Sequence, residues 1–251
     1  MTPDWQLPPG TDRGLWDYVQ STRVAREYDD ALAGTPLLDL DLRFAERHFP
    51  TPGRLIDLGC GTGRLVLHFA PRGYACTAVD LSQAMLDVLG EKAAAAGVSV
   101  ERIRANLVEL DAVPGSAFDY AACLFSTLGM IRGAEYRAKF LSHVRRVLKP
   151  GGVFVVHAHN ARYRFGRGLG RRGPEPGDHT MPQHRGGADL TLHHFTRAEL
   201  TCNLSAAGFE IAELLPVSAR ADGRLPAPWF WPGVRAYGYL AAARSSVAPE
   251  P

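Results

Sequence analysis

The segment Leu55-Ile56-Asp57-Leu58-Gly59-Cys60-Gly61-Thr62-Gly63 constrains this chain more than any other. An apolar run ends in glycines at alternate positions, and a helix-periodic stretch follows at once. The pattern predicts a buried strand, a tight turn and a helix. Glycines in such a turn accept positive φ and let backbone approach a ligand closely. A phosphate loop of the form G-x-x-x-x-G-K-[ST] would need a lysine that is not there. The dinucleotide pattern G-x-G-x-x-G would need a glycine at position 64, where Arg64 stands, so a nicotinamide dehydrogenase is disfavoured. Val79-Asp80 closes the next predicted strand, 23 residues after Asp57. An acid there can accept two hydrogen bonds from a ribose diol. Loop and acid together suit a nucleoside with a positively charged tail better than a pyrophosphate.

Around this segment the pattern alternates. Strands are predicted at 54–58, 74–80, 99–105, 118–125 and 153–157, and helices at 63–70, 82–96 and 133–148. Ser82 should cap its helix and Gly97 end it. Residues 118–125 carry almost no charge, which implies burial on both faces. Towards the end, a strand at 189–193, a helix at 197–207 capped by Thr196, and strands at 209–216 and 235–243 are expected. Residues 1–14 read as a loose arm, followed by helices over 15–33 and from Pro36 to His48, the latter capped by Thr35. The fold class is therefore α/β: a Rossmann-like, doubly wound, mostly parallel sheet. Residues 1–50 form an N-terminal arm and cover helices, and 51–251 the main domain with an irregular insert over 160–188.

Taken jointly, LIDLGCGTG (55–63), AVDLS (78–82), RANLVEL (104–110), FDYAACLFSTLGMI (118–131) and LKPGGVFVV (148–156) resemble the class I S-adenosylmethionine-dependent methyltransferases. The resemblance covers about residues 50–160 well and 190–243 more loosely. It implies a seven-stranded sheet with an antiparallel last strand, S-adenosyl-L-methionine as cofactor, and a terminal hairpin formed by 209–216 and 235–243. By it, Asp57 and the backbone of Gly59, Cys60 and Gly61 would line the methionine moiety. Asp80 would take the ribose hydroxyls, and Leu81 would pack on adenine. Asn106 and Leu107 sit where the family has a residue touching the adenine amino group; Asn departs from the commoner Asp. Phe125 and Ser126 would face the methyl donor. A Tyr-Asp pair before the first strand closes over the donor in many relatives. Tyr18, Tyr28 and Arg23 are the matching candidates, with Arg23 pairing with the donor carboxylate and Tyr28 hydrogen-bonding it. The same tyrosines also suit the core side of an amphipathic cover helix.

Methyl transfer needs alignment, exclusion of water and, for some acceptors, removal of a proton; a fixed triad is not expected. His157 and His159 follow the fifth strand, at the carboxyl edge where open α/β sheets bind ligands. They are the candidate catalytic residues together with Tyr28, and a general base is the sharpest role for His159. Plain lining of a polar pocket is the competing role. Six of the nine histidines fall between 157 and 194. A metal held there with His193 or His194 is conceivable, but no spacing or acidic cluster singles one out, and none is expected.

The insert carries six arginines (162, 164, 167, 171, 172 and 185), about twice the chain's average density. This hints at an anionic acceptor, although a solvated loop explains it as well. Trp229-Phe230-Trp231 could wall an apolar pocket, plug the underside of a loop or meet a partner. The net charge is +2, from 28 basic and 26 acidic residues, and no basic stripe interleaves with aromatics. A nucleic-acid partner is therefore not expected. No apolar run has membrane-spanning length, there is no signal-peptide pattern, and four scattered cysteines imply free thiols. A cytoplasmic protein without a membrane partner is the expectation. The leading reading is methyl transfer to O, N or S of a small acceptor. RNA or protein methylation through the arginine-rich insert, and a module that binds the cofactor without catalysis, are the alternatives. Oligomeric state and acceptor stay open.

Overall fold

Seven strands form the central sheet of the computed structural model, which describes residues 2–163, 171–181, 189–220 and 222–246. They are β1 (Arg54–Leu58), β2 (Ala75–Asp80), β3 (Glu101–Arg104), β4 (Phe118–Cys123), β5 (Leu148–His159), β9 (Phe209–Val217) and β10 (Gly238–Ser245). Their order is β3-β2-β1-β4-β5-β10-β9. The first five pair in parallel, and β10 runs antiparallel to both β5 and β9. The expected doubly wound sheet and terminal hairpin are both present. A second sheet joins β6 (Arg171–Arg172), β7 (Asp178–Met181) and β8 (Leu190–His193) in sequence order. Only β8 was expected from the sequence. Of the insert, Arg164, Arg167, His184 and Arg185 lie outside the described residues.

Helices cover both faces: α1 (Arg13–Gln20), α2 (Thr22–Leu32), α3 (Pro36–His48), α4 (Arg64–Phe69), α5 (Gln83–Ala95), α6 (Thr127–Met130), α7 (Ala134–Val147), α8 (Arg197–Ala206) and α9 (Pro232–Arg235). Two apolar cores form, one on each side of the sheet. Ile56, Leu58, Phe118, Phe140 and Phe154 lie in one, and Phe44, Phe49, Leu55, Phe69 and Leu240 in the other. Alternate residues of β1 thus enter opposite cores, the two-face burial expected of a central parallel strand.

Local chemistry explains most element ends. Ser82 Oγ accepts from Met85 N, and Thr196 with Glu199 forms a reciprocal capping box. Thr35 makes no side-chain cap for α3, against expectation. The single helix expected over 15–33 is broken at Ser21, whose φ/ψ is extended and whose Oγ caps Val24 N. A serine side chain competing for helical N–H groups favours such a break.

The N-terminal arm is not loose. Asn106 Nδ2 donates to Pro9 O at 2.9 Å, and Arg132 N donates to Gly10 O at 2.8 Å. Asp12 then caps α1 through Leu15 N. The arm supplies partners to polar groups about a hundred residues away, which fixes its path.

Candidate functional site

The carboxyl ends of β1, β2 and β4 meet at a cleft roofed by α1 and α2. One cavity there is lined by Gly10, Thr11, Leu15, Tyr18, Val19, Tyr28, Gly59, Gly61, Asp80, Leu81, Ser82, Met85, Asn106, Leu107, Thr127, Met130 and Ile131. Its empty space is about 710 Å³, open mouth included, a size typical of small-molecule sites. A second cavity shares Tyr28, Gly59 and Thr127 with it and continues past Asp57, Cys60, Thr62, Arg64, Asp29, Lys92, Leu124 and Phe125.

The glycine turn is shaped by close approach. Gly59 has φ +80°, and a Cβ there would lie 2.3 Å from Thr127 Cγ2. Gly63 has φ +86°, and a Cβ would lie 2.1 Å from Leu89 Cδ1. Only glycine satisfies both conditions at either position. Asp80 ties the turn to β2: its Oδ2 accepts from Gly61 N at 2.9 Å and its Oδ1 from Ser82 N at 2.8 Å. The carboxylate is thus fixed in the cavity wall, with lone pairs left for a diol. Burial raises its pKa, while the backbone donors oppose the rise.

Asp57 is buried behind the turn. Burial pushes its carboxyl up to about 7, with Arg64 opposing and Asp80 adding to the rise. Burial also raises the Cys60 thiol, which therefore stays protonated. The phenols behave likewise: Tyr28 is pushed up to about 12 and Tyr18 higher still. Both remain hydrogen-bond donors at neutral pH.

Tyr28 packs its ring over Gly61, 3.4 Å from the position a Cβ would take. Its neighbour Asp29 latches α2 to the loop: Thr62 Oγ1 donates to Asp29 Oδ1 at 2.6 Å, and Lys92 Nζ lies 2.7 Å from Asp29 Oδ2. Arg23 sits on the exposed side of α2 and lines neither cavity. Arg64 lines the second cavity instead, held by Leu38 O and by Asp41 Oδ2 at 3.2 Å. Arg64, Thr62 and Lys92 were not singled out as site residues from the sequence. The signal for Arg64 was its place directly after the last glycine of the turn.

Phe125 and Ser126 take positive φ, +51° and +66°, at the end of β4. Such strain in non-glycine residues concentrates at functional sites. Ser126 Oγ accepts from His159 N at 2.8 Å, locking this turn to β5. Phe125 lines the second cavity. Asn106 lines the first, but its amide donates to Pro9 O and Glu109 Oε2 and its Oδ1 accepts from Val108 N. It holds the arm over the cavity as well as lining it.

His157 and His159 line neither cavity. They lie behind the Phe125–Ser126 turn, both buried. His157 Nδ1 is 3.0 Å from Asp41 Oδ1, close enough for electrostatic pairing but without hydrogen-bond alignment. His159 packs edge-on against His194 at 5.1 Å and Tyr237 at 4.8 Å, and its Nε2 has no hydrogen-bond partner. Burial drives its pKa well below the ordinary value, with His157, His194 and His179 adding to the shift. The side chain is thus a neutral imidazole walled off from the cleft, which leaves a general base there without a path to a bound acceptor in this conformation.

Another polar cluster ties the small sheet to the main body. Asp178 pairs with Arg132 and with His193 Nδ1 at 2.9 Å; His193 Nε2 lies 2.7 Å from Glu199 Oε1. Arg137 pairs with Glu175 at 2.9 Å. Glu175, Asp178 and His193 have metal-like proximity, yet the two arginines already compensate their charge. This network was invisible in sequence, because its members come from separate segments.

Comparison with known proteins accords with this cradle. The methyltransferase-domain family model matches residues 55–152. A putative methyltransferase from Geobacillus sp. (strain WCH70) is 34% identical over 108 residues, 43% of this chain and 42% of its own length. The S-adenosyl-L-methionine-dependent Diels-Alderase iccD of Talaromyces variabilis is 31% identical over 146 residues, 57% of this chain and 45% of its own. The chain spans about half the length of the curated relatives it matches. Among solved structures, the 1,6-didemethyltoxoflavin-N1-methyltransferase of Burkholderia thailandensis, with 1,6-didemethyltoxoflavin and S-adenosylhomocysteine bound, shares the fold. Its TM-score is 0.67 at 21% identity, with 92% of this chain and 87% of that one covered. With the glycine turn, the acid closing β2 and the strand order all in place, residues 55–152 match a methyltransferase domain and the fold is the one shared by S-adenosylmethionine-dependent methyltransferases.

Proposed function

We propose that this protein transfers a methyl group from S-adenosylmethionine to an O, N or S atom of a small acceptor. The observation that carries the reading is Asp80 and the Gly59–Gly61 turn bonded together in one cavity wall. The residues present fit the cofactor. Gly59 lets the turn lie against Thr127 in the cavity wall, and the Asp80 carboxylate stands in the same wall with acceptor capacity for a ribose diol. Leu81, Met85, Leu107 and Ile131 supply apolar walls for a purine.

When bound, S-adenosylmethionine supplies a methyl group already activated on a sulfonium centre. The protein's share is to bind, orient and exclude water. Asp80 would grip the sugar, and Asp57 would offset positive charge at the amino-acid end. Tyr28 and Asp29 hold α2 over the glycine turn, so the reacting centre is screened from bulk solvent. Phe125 lines the second cavity together with Asp57 and Cys60, so that cavity takes the amino-acid end of the donor. Arg64 lends that space a positive side, which suits the donor carboxylate.

A second reading has one observation in its favour. One similar protein is named an S-adenosyl-L-methionine-dependent Diels-Alderase rather than a methyltransferase, which favours a donor-binding role without methyl transfer as the alternative. Product analysis separates the two: a panel of phenol, amine and thiol acceptors is incubated with the donor, and S-adenosylhomocysteine is measured. Product with at least one acceptor supports methyl transfer. Donor binding without product from any acceptor class supports the second reading. Asp80→Ala should weaken S-adenosylhomocysteine binding by about 1–3 kcal/mol in calorimetry, through two lost charge-assisted hydrogen bonds. Unchanged affinity would remove the ribose assignment.

A further inference from the structure

Trp229, Phe230 and Trp231 are 81, 51 and 71% exposed, and among the described residues the other aromatic rings, Trp5 apart, are not exposed large hydrophobics. Among the described residues nothing covers them. Three consecutive exposed aromatics are costly to leave in water, and a loop that shows them by accident should be slack. This one is built. Arg235 Nη1 donates to Phe230 O at 2.8 Å and Ala227 O at 3.2 Å, and its Nη2 donates to Pro226 O at 2.9 Å. The same guanidinium lies 5.6 Å from the Phe230 ring centre. Asn160 Nδ2 donates to Gly233 O and Ala236 O, which ties the loop to the end of β5. Ala227 and Trp231 hold left-handed φ of +48° and +46°. Strain and a dedicated arginine staple both serve to point the aromatics outward.

The surroundings favour one occupant. Beside the loop runs a shallow groove lined by Leu214, Pro216, Pro228, Trp229 and Tyr239, and its one charged lining residue is a cation, Arg197. Arg220 and Arg224 are exposed on the preceding stretch, with Asp222 as their acidic neighbour. Apolar rings rimmed by arginines match an anionic lipid surface, where aromatics sit at headgroup level and cations meet phosphates. A second copy of the chain suits the patch less well. Three rings at these exposures offer roughly 300–500 Å², against about 800 Å² per partner in a stable interface.

We propose that the Trp229–Phe230–Trp231 loop seats the protein on an anionic membrane surface. The contact needs no spanning helix, and among the described residues no helix is long and apolar enough to cross a membrane. β9 runs parallel to β5, so the loop that follows it lies on the sheet's carboxyl edge, the edge that carries the donor cleft. Seating would bring that edge to the lipid and admit amphiphilic acceptors from it.

The test is co-sedimentation of the whole chain, without donor, with phosphatidylcholine vesicles and with phosphatidylcholine–phosphatidylglycerol vesicles. Because no donor is present, its outcome is independent of whether methyl transfer occurs. The expected result is binding to the anionic vesicles, at least about tenfold weaker to neutral ones, and an equal loss in W229S/F230S/W231S. These side chains are exposed, so the triple variant should keep its melting temperature and donor affinity. R197A/R224A should reduce anionic-vesicle binding about threefold or more and steepen nothing else. No binding to anionic vesicles overturns the proposal, and so does full binding by the triple variant. Dimerisation in sedimentation equilibrium that the triple variant abolishes also overturns it, since the patch then belongs to a second copy.

Discussion

The donor cradle and the histidine-rich region behind it are built on opposite plans. The cradle uses backbone: glycine φ angles, N–H groups of Gly61 and Ser82, and one carboxylate, all within residues 57–82. The region behind it uses side chains from far-apart segments, such as Asp41 with His157, Arg132 with Asp178 and His159 with His194. A backbone device tolerates many sequences around a few fixed glycines and ligates what the whole family shares. A side-chain device is specific to one chain.

The contrast predicts that a methyl group added to the cradle does more damage than any single change behind it. Gly59→Ala combines a left-handed φ with a 2.3 Å contact to Thr127. It should lower S-adenosylhomocysteine affinity by about 100-fold or more in calorimetry, with the fold retained by circular dichroism. Affinity within threefold of the parent would mean that the turn has slack, and the contrast would fail.

The histidine region should respond to acid instead. Burial depresses His159 and pushes His194 down to about 3, so the folded state holds both neutral. The unfolded chain binds protons on them below about 6.5. Stability is therefore fully present above 6.5 and falls as pH drops below it, by up to about 1.4 kcal/mol per pH unit for each group. Urea titrations between neutral pH and mildly acidic pH check this, and His194→Gln should flatten the slope. A slope unchanged in that variant would exclude His194 as a source.

The smallest effect belongs to the cradle's own titrating group. Asp57 lies near 7 when free, raised by burial. A cationic ligand beside it favours the carboxylate, so binding should release a proton. Donor affinity should then rise with pH through 7, by at most about tenfold per unit, and level off above it. Calorimetry in buffers of different ionisation enthalpy would show the released proton. No release across that range would place the ligand's positive charge away from Asp57.

The parts legible in sequence are those whose cause is local. Leu55 to Gly63 announced strand, turn and helix, and Ser82 and Thr196 announced their helices, because caps and positive φ are properties of a few adjacent residues. Asp80, Leu81 and Leu107 were placed at the cavity for a related reason: strand ends in a parallel sheet share one edge. Arg23 lies on the exposed side of α2, outside both cavities, and helical phase, which the break at Ser21 resets, decides that face.

Sequence alone therefore determined the layered sheet and the cradle, since each follows from short-range backbone preference and periodic burial. Tertiary structure alone decided that the N-terminal arm closes the first cavity through Asn106, that Arg64 lines the second, and that His159 is buried with its backbone N bonded to Ser126. Those outcomes depend on which distant polar groups find each other when water is excluded, and an unpaired buried group is too costly for the chain to leave that choice open.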